Sequence, residues 1–291
     1  MVRHDWAMAL TLQDDSSNEA VNSGQYHIWF IETSYKRKLG ARQACSIESA
    51  CRHNRDFIVH LLSTGNITSP RSRYHRLLSK RPNFRSSALN ATAEVAHTPF
   101  APLVATGGAL HRSPYAMSHL SDFLRYVTLW KRGGVYLDTD VIVMKSLRGI
   151  RNSAFYQSRE AGASVGSAVL FFDKHHPVLA TLIEECARFY DPLWWNTCGP
   201  KTLSRLLPDA QSSGRLKLLN ESAFFAVPWK EWEHLFDREK TGDCAGRRQQ
   251  QLRCSPLEPS QQKDASGAWI WICPGRSVSC ALSCSSQGRI Y

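Results

Sequence analysis

Residues 133–144 read GGVYLDTDVIVM, and no other stretch limits the fold of this chain so tightly. Two carboxylates, Asp138 and Asp140, stand one residue apart inside a β-branched, apolar run. Such a run asks to be a sheet strand. Burying unpaired charges beside it would cost on the order of several kcal/mol, a large part of the stability of a domain. The carboxylates therefore need a neutralising partner. On a strand, residues two apart share a side, so both acids would aim at one point while Leu137 and Thr139 face the other way. Hard divalent cations, Mn²⁺ or Mg²⁺, take such oxygens and complete their shell with water and substrate phosphates, which makes a nucleoside diphosphate the natural third party. An Asp-x-Asp also arises by chance in chains of ordinary composition, and a strand ending in a solvated turn would explain it equally.

The surroundings favour a sheet. In SHLSDFLRYVTLWKRGG, Phe123, Leu124, Val127 and Trp130 recur at helical spacing, Ser118 or Ser121 is placed to cap the start, and Gly133-Gly134 ends the helix. Asp122 and Arg125, three apart, share a face, where they form a structural pair or meet a ligand's hydroxyls and phosphate. Upstream, QYHIWFIET and DFIVHLL read as strands flanking a short helix, ACSIESACRH. This order opens an α/β sheet with helical crossovers and ligand-holding loops at the carboxyl ends of its strands. Further along, SAVLFF reads as a strand, HPVLATLIEECARFY as an amphipathic helix, a helix starts at Pro200, RLKLLN suggests an edge strand and PWKEWEHLF a short helix or turn.

A chain of 291 residues with 43% apolar composition is large enough for one α/β domain with irregular additions. The division expected is a disordered leader over 1–24, one domain over 25–262 and an atypical tail over 263–291. The formal charge of +11 is concentrated in part at 69–85, SPRSRYHRLLSKRPNFR, which carries six Arg and Lys and no acid. The segment 63–96 around it reads mostly as a solvated basic loop, and no nucleic-acid module accompanies it. Nine cysteines, an odd number, leave at least one unpaired within the chain, and the absence of CxxC argues against zinc. Sequons at Asn66, Asn90 and Asn220, with this cysteine usage, lean toward the secretory pathway. No apolar run reaches the roughly 20 residues of a spanning helix, so the chain is soluble or its anchor lies outside it. Among smaller signals, His175 and His176 read as surface or capping residues, and His119 as a structural histidine or a donor contact. Trp194 and Trp195 suit either sugar stacking or core packing.

Ser121, Asp122, Arg125, Gly133, Gly134, Tyr136, Asp138 and Asp140 together resemble the wider signature of the α-1,4-glycosyltransferases, with further matches at FIETS (30–34), CSIESA (45–50), Gly199-Pro200 and FFAVPWKEW (224–232). The resemblance implies a GT-A type nucleotide-diphospho-sugar transferase fold with a central, mostly parallel sheet flanked by helices. It implies a retaining hexosyltransferase that moves Gal, GalNAc or GlcNAc from a UDP-sugar to a galactose-terminated glycan or glycosphingolipid. Mn²⁺ or Mg²⁺ would sit on Asp138 and Asp140, and Asp122 and Arg125 would hold the sugar and its phosphate. Gly133, Gly134 and Tyr136 would join the donor site. The implied setting is the Golgi lumen, on a membrane. One departure stands out: where the family carries a histidine near the diphosphate, this chain has Trp269, which cannot ligate a metal. A catalytically silent nucleotide-sugar or glycan binder is thus the alternative, and a metal-dependent phosphohydrolase a more distant one.

Overall fold

The computed structural model describes residues 5–8, 25–65, 67, 72–158, 163–221 and the backbone of 270–272. The first half runs β1 (Tyr26–Glu32), α1 (Ala41–His53), β2 (Phe57–Ser63), α2 (Arg73–Leu78), β3 (Phe84–Ala88), α3 (Ala91–Glu94), α4 (Ala101–Val104) and α5 (Ala116–Arg132). After it come β4 (Gly134–Leu137), β5 (Val141–Val143), β6 (Ser153–Ser158), β7 (Ser164–Val165) and β8 (Val169–Phe172). The remainder is α6 (Pro177–Arg188), α7 (Pro200–Ser212), β9 (Lys217–Leu219) and β10 (Ile270–Ile272). The expected α/β class holds.

An eight-stranded sheet has the order β3-β2-β1-β4-β8-β6-β7, with β9 beside β6. Its β3-β2-β1-β4 half is parallel, and β8 joins β4 and β6 in antiparallel pairs. Strand parity divides the core. Trp29 and Ile31 of β1, Tyr136 of β4 and Leu170 and Phe172 of β8 face a cluster completed by Phe123, Leu124, Val127 and Trp130 of α5. Ile28 and Phe30, Val135 and Leu137, and Val169 and Phe171 face the opposite cluster, with Ile47 and Ala50 of α1. Strands covered on both faces read as continuous apolar runs, which is why β1 was legible.

The structure corrects three local expectations. The 63–96 segment is not an uninterrupted loop: α2, β3 and α3 lie within it, and β3 pairs with β2 in parallel register from Val59↔Phe84 to Ser63↔Ala88. Only Phe84 of FRSSA is buried, so backbone pairing rather than apolar pattern makes it a strand. Ser118 and Ser121 do not cap α5, which begins at Ala116, with Tyr115 at the cap position and no side-chain bond there. Within the expected leader, residues 5–8 are helical, and Trp6 packs 4.9 Å from the Trp130 ring and donates to Glu184 Oε1. The expected PWKEWEHLF element lies outside the described residues.

Gly133 ends α5 at φ +64, and Gly134 follows at φ +102. A Cβ on Gly134 would meet the His27 carbonyl oxygen of β1 at 2.6 Å. Gly134→Ala is therefore expected to destabilise the chain by about 2 kcal/mol or more, combining backbone strain with a clash against the neighbouring strand. Gly107→Ala shares the strain, at φ +77, but meets nothing within 4 Å, so urea unfolding should show it clearly milder.

Candidate functional site

The carboxyl ends of β1 and β4, the start of α1 and the amino-terminal half of α5 enclose a cleft of about 500 Å³. Asp138, Thr139 and Asp140 form one wall. These residues are not on a strand. β4 stops at Leu137 and β5 starts at Val141, and the Val141 N–H donates to the Asp138 carbonyl at 3.1 Å, closing a turn. Strand parity therefore does not place the two acids, and Thr139 lines the cleft with them. The turn is held from α1, where Ser46 Oγ donates to the Val141 carbonyl at 2.5 Å and Ser49 Oγ accepts from Val143 N–H at 2.9 Å. β10 adds a second clamp by pairing antiparallel with β5, Trp271 opposite Ile142.

Arg125 is the hub of the site. Its Nη2 lies 3.2 Å from Asp122 Oδ1 and 3.4 Å from Asp138 Oδ1, Nη1 donates to the Ser167 carbonyl at 2.6 Å, and Nη2 also donates to Ser121 Oγ at 3.2 Å. Its guanidinium stacks 4.7 Å from the Tyr136 ring centroid. Tyr136 in turn donates its hydroxyl to Asp138 Oδ1 at 2.5 Å. Burial lowers the proton affinity of Arg125, but Asp138, Tyr136 and Asp122 outweigh it, and the guanidinium is held charged far above neutral pH. Asp122 does not line the cleft. It stands behind Arg125, against Gly199, whose Cβ would come 3.3 Å from its Oδ2. Burial lifts Asp122 to about 6, with Arg125 opposing and Asp138 adding.

Asp140 differs from the others. Its Oδ1 is buried with no partner, and burial followed by the charge of Asp138 lifts the group to about 6. An orphaned carboxylate oxygen beside a second carboxylate is a poor end point for folding and a good ligand for a hard cation. Among the described residues no group of three or more His, Cys, Asp or Glu could hold a metal alone. That set suits a cation whose remaining ligands come from water and phosphate.

Of the expected site residues, Arg125, Tyr136, Asp138 and Asp140 meet at the cleft, with Asp122 directly behind. Gly133 and Gly134 do not. They sit at the opposite end of β4, packed on the Lys174 and His27 backbone, with the Gly133 carbonyl accepting from Trp29 Nε1 at 2.8 Å. Their conformation serves the strand start and makes no approach to the cleft. His119 is structural: fully buried, it lies 2.8 Å from Tyr190 Oη and 3.1 Å from the carbonyls of Trp194 and Trp195, and His176 caps α6. Sequence reasoning did not select Glu32 and Ser34, at the end of β1. Glu32 Oε1 accepts from Ser34 N–H at 2.9 Å, while Glu32 Oε2 and Ser34 Oγ are buried without partners, and Lys36 and Arg42 line the same cleft. The FIETS match was the available signal.

Residues 40–159 match a family model described as glycosyltransferase sugar-binding region containing DXD motif, and residues 171–271 match the alpha 1,4-glycosyltransferase conserved region. The second match reaches into the tail read as atypical. Lactosylceramide 4-alpha-galactosyltransferase of Pan troglodytes is 32% identical over 224 residues, 72% of this chain and 62% of that protein. The Gorilla gorilla gorilla protein of the same name is 32% identical over 224 residues, 67% of its length. Alpha-1,4-N-acetylglucosaminyltransferase of Homo sapiens is 28% identical over 254 residues, 75% of this chain and 68% of that protein. The alignment thus spans about 62% of the Pan troglodytes relative. Among solved structures, PaToxG Glycosyltransferase matches with a TM-score of 0.46 and 14% identity, covering 73% of this chain and 81% of that one.

Proposed function

This chain belongs to the DXD-containing α-1,4-glycosyltransferase family, and on that premise we propose that it is a retaining hexosyltransferase. It moves Gal, GalNAc or GlcNAc from a UDP-sugar to a galactose-terminated glycan or glycosphingolipid, in α-1,4 linkage and with a divalent cation. The observation that carries the reading is the unpartnered, buried Oδ1 of Asp140 beside Asp138 on the wall of the cleft.

Asp138 and Asp140 would hold Mn²⁺ or Mg²⁺, which when bound acts as a Lewis acid on the departing diphosphate. The chain's own residues do the rest. Arg125, fixed by Asp122 and the Ser167 carbonyl, presents a permanent positive charge to the donor phosphate, and Lys36 and Arg42 line the same cleft. Tyr136 holds Asp138 in place through its hydroxyl. Glu32 Oε2 and Ser34 Oγ, an acceptor and a donor lacking partners, suit the hydroxyls and N–H groups of a nucleoside. Asp122 acts by positioning Arg125. The acceptor hydroxyl attacks from the face that UDP leaves, so retention requires no nucleophile from the enzyme. The Cys186–Cys198 disulfide supports an oxidising compartment such as the Golgi lumen.

The test is incubation with each UDP-sugar and a lactose-terminated acceptor, with and without Mn²⁺. Transfer of one hexose, dependent on Mn²⁺, is expected. UDP binding without transfer from any donor would favour the silent binder that Trp269 suggests.

A further inference from the structure

The segment Asp191–Thr197 follows α6 and contains Leu193, Trp194 and Trp195 in succession. All three are exposed, at 70%, 61% and 59%. Ordinarily such side chains fold inward, so a rigid backbone that presents them to solvent indicates an interaction surface. The backbone here is tied by hydrogen bonds. Leu193 N–H donates to Asp191 Oδ1 at 2.9 Å, Asp191 N–H to Thr197 Oγ1 at 3.0 Å and Thr197 N–H to the Trp194 carbonyl at 3.2 Å. The buried ring of His119 reaches both tryptophan carbonyls through Nε2, and the Cys186–Cys198 disulfide closes the base of the loop.

The neighbours extend the surface. Phe189, Tyr115 and Met117 are also exposed, Tyr115 lies 5.9 Å from the His119 ring, and Met117 lines the donor cleft. Cations overlie the aromatics: Lys201 Nζ is 5.4 Å from the Trp194 ring and Arg188 5.1 Å from the ring of Phe189, while Arg205, 4.9 Å from Phe189, is paired with Glu185 Oε2 at 2.8 Å. Tryptophan and tyrosine beside basic residues match the headgroup level of a bilayer, where the rings enter the acyl boundary and the cations meet phosphates. Leu193, the most exposed of the group, has no use in stacking on a sugar but suits an apolar boundary.

We propose that the Leu193–Trp195 loop seats the rim of the cleft on a phospholipid bilayer surface, presenting the site to acceptors whose sugar projects from that surface. The acceptor half rests on the hexosyl-transfer reading; the bilayer half does not. The Trp194 and Trp195 carbonyls rest on His119 of α5, next in the chain to Met117 and Ser118 of the cleft wall, so a membrane held by this loop lies beside the cleft.

The experiment is flotation of the 291-residue chain with phosphatidylcholine vesicles, alongside transfer assays on a vesicle-embedded glycolipid and on a water-soluble glycan with the same sugar. The variant is Leu193→Ser, Trp194→Ser, Trp195→Ser, which leaves the backbone bonds of the loop available. Vesicle binding by the variant is expected to fall about tenfold or more, since the lost apolar contact exceeds the free energy of one decade. Transfer to the embedded glycolipid should fall with it, and transfer to the soluble glycan should stay within about twofold. Wild-type chain that does not float, or a variant that floats equally, overturns the inference. An equal loss on the soluble glycan also overturns it, assigning the tryptophans to sugar stacking. Should that variant melt early, Leu193→Ser alone replaces it, with flotation weaker than that of the wild type expected and equal flotation overturning the inference. Vesicle binding without transfer to any acceptor upholds the docking surface and removes the transferase reading instead.

Discussion

Replacement of Asp140 by Asn is expected to lower transferase activity roughly a hundredfold or more while leaving the fold intact. The side chain has the same shape, and its Oδ1 has no partner to lose. What disappears is the negative charge that a divalent cation requires. Since burial and Asp138 lift Asp140 to about 6 in the cation-free chain, protons compete with the cation below that pH, and Mn²⁺ binding followed by calorimetry should weaken as pH drops through it. Asp140→Asn should retain the wild-type melting temperature or exceed it, because a buried, unpaired acid has been neutralised. Activity within a few-fold of wild type would remove Asp140 from the cation site.

Arg125→Ala is the second large effect, and it acts first on stability. Its guanidinium is almost fully buried between Asp122 and Asp138, and removal leaves Asp122 with neither solvent nor counter-charge. The cost expected for breaking such a pair is about 3–5 kcal/mol. Denaturant unfolding measures it directly. The double variant Arg125→Ala, Asp122→Asn should recover part of the loss, since the stranded acid is then neutral. Recovery of stability without recovery of transfer would separate the packing role of Arg125 from its role toward the donor phosphate. An Arg125→Ala protein as stable as wild type would contradict the hub.

Much of the sheet and its main helix was legible in the sequence. The apolar runs of β1, β2 and β8 are covered on both faces of the sheet, so burial wrote itself into composition. The Phe123, Leu124, Val127 and Trp130 face of α5 was visible as periodicity, and Gly133 marked its end. β3 was not legible, because a strand with one buried side chain is made by backbone pairing, which leaves no apolar pattern. The Asp-x-Asp acids were correctly linked to each other for the wrong local reason. A turn, fixed by Ser46 and Ser49 from a helix some ninety residues earlier, brings them together, and no strand rule anticipates that. Asp122 and Arg125 were found by spacing, but only tertiary packing shows one buried behind the other. Glu32 and Ser34 were missed because an acid and a serine at a strand end look like any loop start. Their significance lies in two atoms without partners.

The central claim is that the Asp138–Asp140 turn carries a divalent cation that joins the chain to a nucleoside diphosphate. Calorimetry of UDP binding, with and without Mn²⁺, on the wild-type chain and on Asp140→Asn tests it most directly. The account predicts that Mn²⁺ tightens UDP binding by about tenfold or more in the wild type, the worth of a small number of added charge-assisted contacts, and does nothing in the variant. Equal UDP affinity with and without Mn²⁺ in the wild type, or an undiminished Mn²⁺ effect in Asp140→Asn, would contradict it.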